Sequence, residues 1–360
     1  MDHYVLDRIS FLQSALEEIG ADAMLVTSLA NHRYFTDFNN GDGALLITKC
    51  KKYAFEDSRY FEEASKKIGD EYIVFESTLD LDRVKEIVEE GNIRTIAFEG
   101  DKISYGKYKR LENKLENVSF IDEKGLMACM RDEKDPIEIQ RIAIAQEITD
   151  GAFAHILKTI TPTMTENDVA AELEYYMRKH GAEDKSFDTI AVSGEKSSLP
   201  HGVPSDIKLK KGFLTMDFGA LYKGYHADMT RTICIGKADD EMKKLYNTVL
   251  KAQMAVLDML RDGVPYFEAD KVARDIIEKD YPNSFKHSLG HGLGLEIHEH
   301  IGLSRYSPKD KILRPGNVVS VEPGIYLDGK YGCRIEDIVL IQEGNIRNFT
   351  RGTKELIEIY

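Results

Sequence analysis

Residues 216–232 read MDFGALYKGYHADMTRT. Aromatic and small residues with a β-branched tail favour a buried strand pair over a helix. Two carboxylates, Asp217 and Asp228, interrupt this stretch. A loop centred between Tyr222 and Lys223 predicts a β-hairpin with Asp217 directly opposite Asp228, their Cβ atoms about 5 Å apart on one face. VVSVEPGIYL (318–327) and YGCRIEDIVLIQ (331–342) repeat the pattern around Asp328-Gly329-Lys330, setting Glu322 opposite Glu336. Between the two hairpins, SLGHGLGLEIHE (288–299) adds His291.

Such carboxylates are costly in buried sheet without partners. Brought together, they raise one another's pKa values and resist ionisation. Divalent metal is the expected compensation. One ion leaves about two of the four negative charges unmatched, whereas two ions neutralise them and can hold a bridging hydroxide.

These segments resemble those of the pita-bread metallopeptidases: methionine aminopeptidase, aminopeptidase P and prolidase. DFGALYKGYHADMTRT, HSLGHGLGLEIHE, VEPGIY and GCRIED occur in order, and similarity to the prolidase and aminopeptidase P branch extends over nearly the whole chain. The resemblance implies that Asp217, Asp228, His291, Glu322 and Glu336 are metal ligands, with Asp228 bridging or bidentate and Glu336 bridging. It makes Glu322 the general base as well. It also implies that His201, in SSLPHGVPSD (197–206), and His298 stabilise the transition state and contact substrate, with His298 on the substrate carbonyl. If 287–291 is extended, His287 shares a strand face with His291 and joins a substrate pocket. Arg334 and Tyr326 are further substrate-side candidates, since period-two spacing puts them on the faces of Glu336 and Glu322. His155, His226 and His300 read as structural or surface residues.

The implied activity is hydrolysis of Xaa-Pro bonds at the amino end of small peptides with proline second, by an Xaa-Pro dipeptidase (prolidase) using two divalent ions. Oxygen-rich ligands with one imidazole suit Mn²⁺ or Co²⁺, with Fe²⁺ and Zn²⁺ as alternatives. One departure weakens the strict dipeptidase reading: prolidases commonly carry Pro-Arg where this chain has Ile301-Gly302, and Arg305 is the nearby substitute. An Xaa-Pro aminopeptidase acting on longer peptides is the alternative. A creatinase-like C–N hydrolase and a non-catalytic binding protein on the same scaffold fit less well, because all five ligand positions are filled. The resemblance further suggests a homodimer.

The remaining sequence is consistent with this. A net charge of −14 argues against nucleic acid as a primary partner, and no apolar run approaches the roughly 20 residues needed to span a membrane. The start, MDHYVLDRIS, lacks the pattern of a secretory signal. Four widely spaced cysteines suggest a reducing cytoplasm, with Cys234 and Cys333 as small core residues. His298-Glu299-His300 is not HExxH, because Gly302 takes the second histidine position. GHGLG lacks the third glycine of a dinucleotide loop, and there is no GxSxG elbow.

The chain is expected to divide near residue 130, into a creatinase/prolidase-like α/β domain over 1–128 and an α+β pita-bread catalytic domain over 129–360. In the first, 21–28, 42–49, 71–76 and 95–100 read as strands of a mixed sheet, alternating with amphipathic segments at 57–68 and 78–90. In the second, Asp135-Pro136 opens a helix that ends before Thr161-Pro162. Thr165 opens another that closes at Gly181, and a third spans about 239–261 before Gly263.

Overall fold

The computed structural model describes residues 2–39 and 43–359. The chain forms two compact units, Met1–Met130 and Arg131–Tyr360. In the first, a six-stranded sheet runs in the order Ile73–Glu76, Lys52–Glu56, Ala44–Thr48, Ala23–Val26, Thr95–Phe98, Ser119–Asp122. Ala44–Thr48 is antiparallel to both neighbours and the other pairs are parallel, so the sheet is mixed, as expected. Ala23–Val26 and Ala44–Thr48 are buried at every position, which explains their continuous apolar reading. The expected strand at 42–49 starts at Asp42, outside the described residues. The strands Lys52–Glu56 and Ser119–Asp122 were not anticipated: Lys, Glu, Ser and Asp at their ends mask the apolar centres.

In the second unit, helix Pro136–Thr159 begins with a full capping box, Asp135 accepting from the Glu138 amide while Glu138 accepts from Asp135. Helix Glu166–Lys179 opens on the same device with Thr165 and Asp168. The third helix is Asp240–Met259. A fourth, Tyr266–Glu278, is missing from the sequence reading, because its cap is Pro265 and no side chain accepts its first amides.

The two carboxylate hairpins are present, one with a changed register. Strands Gly212–Phe218 and Met229–Ile235 pair antiparallel with Asp217 opposite Thr230, not Asp228. The cause is the turn. Tyr222 pairs with Tyr225, leaving Lys223-Gly224 as a two-residue loop, and both have positive φ (47° and 82°). That is the requirement of a type I′ turn, whose twist matches the strands it joins. The hairpin axis therefore moves one residue along, and pairing shifts by two. An even shift keeps side chains on the same face, so Asp228 stays on the face of Asp217, displaced diagonally. The second hairpin has the expected register. Gly324 faces Arg334 and Val321 faces Asp337, which sets Glu322 opposite Glu336 in the break between the two ladders.

The hairpins are then joined side to side. The Glu336 amide donates to Thr230 O at 3.1 Å, and Thr232 Oγ1 donates to Arg334 O at 2.9 Å. Arg231, 1% exposed, donates to Glu336 O (2.5 Å) and to Asp337 Oδ1 (2.8 Å). Cys234 and Cys333 are fully buried in the core beside them. Among the described residues, no helix is long and apolar enough to cross a membrane.

Candidate metal centre

One ligand atom each from Asp228, His291 and Glu336 lies within 4.8 Å of the others. His291 Nε2 stands 3.5 Å from Asp228 Oδ2 and 3.4 Å from Glu322 Oε1. Its Nδ1 faces the Gly292 carbonyl at 3.1 Å; this places the proton on Nδ1 and directs the Nε2 lone pair toward the carboxylates. Asp217 is tied to the cluster through Arg334, whose Nη2 donates to Asp217 Oδ2 at 2.6 Å. Ser320 Oγ accepts from the His291 amide (3.0 Å) and donates to Glu322 Oε1 (3.3 Å). Thr230 Oγ1 donates to Glu336 Oε2 at 2.7 Å and accepts from Arg334 Nε at 2.9 Å.

The electrostatics are those of a site built around missing positive charge. Burial, then Glu336, Asp217 and Glu322, push the Asp228 carboxyl well above its usual range. Burial followed by Glu322 and Asp217 does the same to Glu336. Glu322 is pushed up to about 8, burial and Asp217 outweighing the lowering by Arg334. Asp217 Oδ1 and Glu336 Oε1 are buried and accept no hydrogen bond within the described structure. Orphaned carboxylate oxygens of this kind are rare, and divalent cations satisfy them. His291 fits as well: burial, then His298, lowers its pKa to about 4, keeping the ring neutral as a ligand must be. The donor set therefore suits metal.

The cluster opens into a cavity of about 1000 Å³ whose wall includes His201, His287, His298 and Arg334. The rings of His291 and His298 meet edge to face, centroids 4.3 Å apart. His287 lies outside the extended run, which covers only Gly290–Gly292. It reaches the site by another route, with Nε2 2.9 Å from Tyr326 Oη and Nδ1 4.0 Å from Glu322 Oε2. Tyr326, a candidate substrate contact, is 2% exposed and is not among the cavity-lining residues; Arg334 donates to its hydroxyl at 2.5 Å. Arg334 itself donates to Asp217, Thr230, Tyr326 and the Pro200 carbonyl. His300, read as surface or structural, lies on the cavity wall and pairs with Asp132 at 2.9 Å. Arg305 is not among the lining residues; it stacks on exposed Tyr306, 4.8 Å from the ring centroid. Sequence reasoning missed Thr230 and Ser320. Both sit two residues from a candidate ligand, so strand parity could have found them.

Comparison with known proteins places the chain in a family and finds its fold. Residues 140–343 match the model of metallopeptidase family M24, and residues 8–132 match the creatinase/prolidase N-terminal domain. The chain is 42% identical to an Xaa-Pro dipeptidase from Bacillus anthracis, whose structure superimposes with a TM-score of 0.93 over 99% of this chain and 100% of that one. An X-Pro aminopeptidase from Thermotoga maritima shares 37% identity, with a TM-score of 0.91 over 98% and 99% of the two chains. An Xaa-Pro dipeptidase from Pyrococcus furiosus is 34% identical over 98% of this chain and 99% of its own.

Proposed function

This chain belongs to metallopeptidase family M24 and has its two-part fold, a creatinase-type N-terminal domain followed by a pita-bread catalytic domain; from that premise we propose that it hydrolyses Xaa-Pro bonds at the amino end of small peptides, Xaa-Pro dipeptides above all. The observation that carries the reading is the pair of orphaned buried oxygens, Asp217 Oδ1 and Glu336 Oε1, beside a peptide-sized cavity. We assign Asp217, Asp228, His291, Glu322 and Glu336 as the residues that would hold two divalent ions, Mn²⁺ or Co²⁺ first, Fe²⁺ or Zn²⁺ second. Four carboxylates and the Arg334 guanidinium leave a surplus of three negative charges. Two divalent ions exceed that by one, favouring an anionic guest. Once bound, such ions supply a reactive water at neutral pH and polarise the scissile carbonyl.

The chain's own groups do the rest. Glu322 accepts a proton at its carboxylate and delivers it to the proline nitrogen, which leaves as a secondary amine. His298 and His201 donate N–H hydrogen bonds to the carbonyl oxygen as it gains charge. Proline offers no N–H for recognition, so shape must select it. His287 and the lining residues Phe187, Ile190 and Val203 supply that wall. Arg334 and Tyr326 hold Asp217 and His287 in place.

One observation favours a second reading, an aminopeptidase acting on longer peptides. Gly302 lies on the cavity wall, and a side chain built there would meet nothing within 4 Å. With Arg305 turned to Tyr306, no guanidinium among the described residues closes the cavity at that point. Metal-loaded enzyme assayed on Ala-Pro beside Ala-Pro-Ala decides between them. Failure to cleave either with two equivalents of Mn²⁺ bound would sink both. We further assign a cytoplasmic homodimer, supported for the compartment by the free thiols of Cys50, Cys234 and Cys333. A light-scattering mass of one chain would reject the dimer, and recovery from a secreted or periplasmic fraction would reject the compartment.

A further inference from the structure

We propose that Glu299, held by Arg131 and Lys134, is the positioning residue for His298. The proposal rests on the reading of His298 as a donor to the substrate carbonyl.

Among the described residues, no hydrogen bond holds the His298 ring, whose one ring contact is with the edge of His291. Its placement therefore depends on its backbone, and that backbone is irregular. Residues 293–298 belong to no strand or helix. Besides the Leu293 amide's bond to Val318 O (3.3 Å) and the Glu296 carboxylate's pairing with Arg131 (2.9 Å), what ties them down is the Glu299 carboxylate. Its Oε1 accepts from the amides of Leu295 (3.0 Å) and Glu296 (3.3 Å), so the loop folds back over the side chain of the residue that follows His298. A Cβ on Gly294 would lie 2.9 Å from both carboxylate oxygens. The same loop is tied to the metal hairpin, since the His226 amide donates to Gly294 O at 2.8 Å, two residues before Asp228.

The carboxylate is fixed in turn. Arg131 donates to Oε1 from Nε at 3.2 Å and again from Nη2, and Lys134 Nζ donates to Oε2 at 2.9 Å. The three side chains are 4%, 6% and 1% exposed respectively. Stability alone does not explain such a cluster, because well-packed apolar residues often serve as well or better than buried ions. Geometry does explain it: an apolar side chain cannot collect two loop amides. Burial would raise the Glu299 pKa, yet Lys134 and Arg131 outweigh it and hold the group at about 2, so the acceptor stays ionised.

A double-mutant cycle tests this. Wild type, Glu299→Gln, His298→Ala and the double variant are loaded with Mn²⁺, their metal content is measured, and kcat and KM are determined on Ala-Pro or, if only that is cleaved, Ala-Pro-Ala. Glu299→Gln should lower kcat on the order of 10- to 10²-fold, the scale of a misplaced catalytic group, with metal content and KM little changed. In the His298→Ala background the same substitution should cost less than about twofold, because coupled residues do not add. Equal losses in both backgrounds would mean a brace for the fold and would overturn the proposal. An unaltered kcat in His298→Ala alone would instead overturn the reading of His298, and the proposal with it. If Glu299→Gln does not fold, Lys134→Met replaces it in the cycle, leaving the Arg131 fork on Glu299. A loss confined to the His298 background supports the proposal, and equal losses or none refute it.

Discussion

Arg334 donates to Asp217 at 2.6 Å, so one carboxylate of the candidate metal cluster is oriented by a buried guanidinium before any cation arrives. That guanidinium is also a positive charge beside a cluster of four carboxyl groups. Replacing it by methionine leaves Asp217 without its partner, a change that in buried pairs costs about 3–5 kcal/mol. The loss should be larger in EDTA-treated Arg334→Met than in the Mn²⁺-loaded variant, where the ions supply the missing charge. Urea denaturation with and without metal measures it; equal losses would contradict the charge argument.

Asp228→Asn should abolish turnover and lower bound metal while making the metal-free protein more stable. The substitution removes a charge that burial and three other carboxylates disfavour. Each kcal/mol gained reads as about 2–4 °C in Tm for a unit of this size. A lower Tm for the EDTA-treated variant than for EDTA-treated wild type would show that the carboxylates do not strain the fold.

His298→Ala should reduce kcat by about 10²-fold, the scale of one lost oxyanion donor, with metal content unchanged, since the His298 ring meets His291 edge to face and, among the described residues, hydrogen-bonds none of the five candidate ligands. Retention of wild-type kcat in steady-state assays would remove it from the reaction.

Glu299 gives a pH signature. Its folded-state pKa of about 2 lies below the ordinary value, so its contribution is complete above about pH 4.3 and fades as pH falls through about 2. The depression corresponds to about 3 kcal/mol. In EDTA-treated protein, the stability gap between wild type and Glu299→Gln should therefore narrow between pH 5 and pH 2. A gap that is flat over this range would place the ionised carboxylate elsewhere.

Gly302→Arg should shift preference toward dipeptides. The position is open, and its φ lies outside the left-handed region, so an arginine fits and faces the cavity. A charge-assisted bond to a free carboxylate is worth about 1.5–3 kcal/mol, so the ratio of kcat/KM for Ala-Pro over Ala-Pro-Ala should rise about tenfold or more. An unchanged ratio would mean that the peptide's carboxylate never reaches this wall.

Much of the centre was legible because strand parity is strict. Even with the first hairpin centred one residue off, the shift was even, and Asp217 and Asp228 stayed on one face. The error arose because Lys223 takes a positive φ, which a lysine does not advertise. Around Gly329 the turn residues are informative, and the register followed. What could not be read was contact across sequence distance. Thr230 and Ser320 gain meaning only once Glu336 and His291 are beside them, and strand parity could not bring Arg334 to the Tyr326 hydroxyl. Helix Tyr266–Glu278 escaped because it lacks a polar cap.

The seam where the Glu336 amide meets Thr230 O and Arg231 meets Glu336 O joins segments over a hundred residues apart. Pairings so distant close late, after local helices and turns have formed. During synthesis, the earlier aspartates therefore emerge long before the glutamates that complete their cage. Cation uptake becomes a reporter of finished folding: refolding followed by metal fluorescence should lag helix formation, and a chain stalled before this seam would leave the ribosome unable to retain its ions.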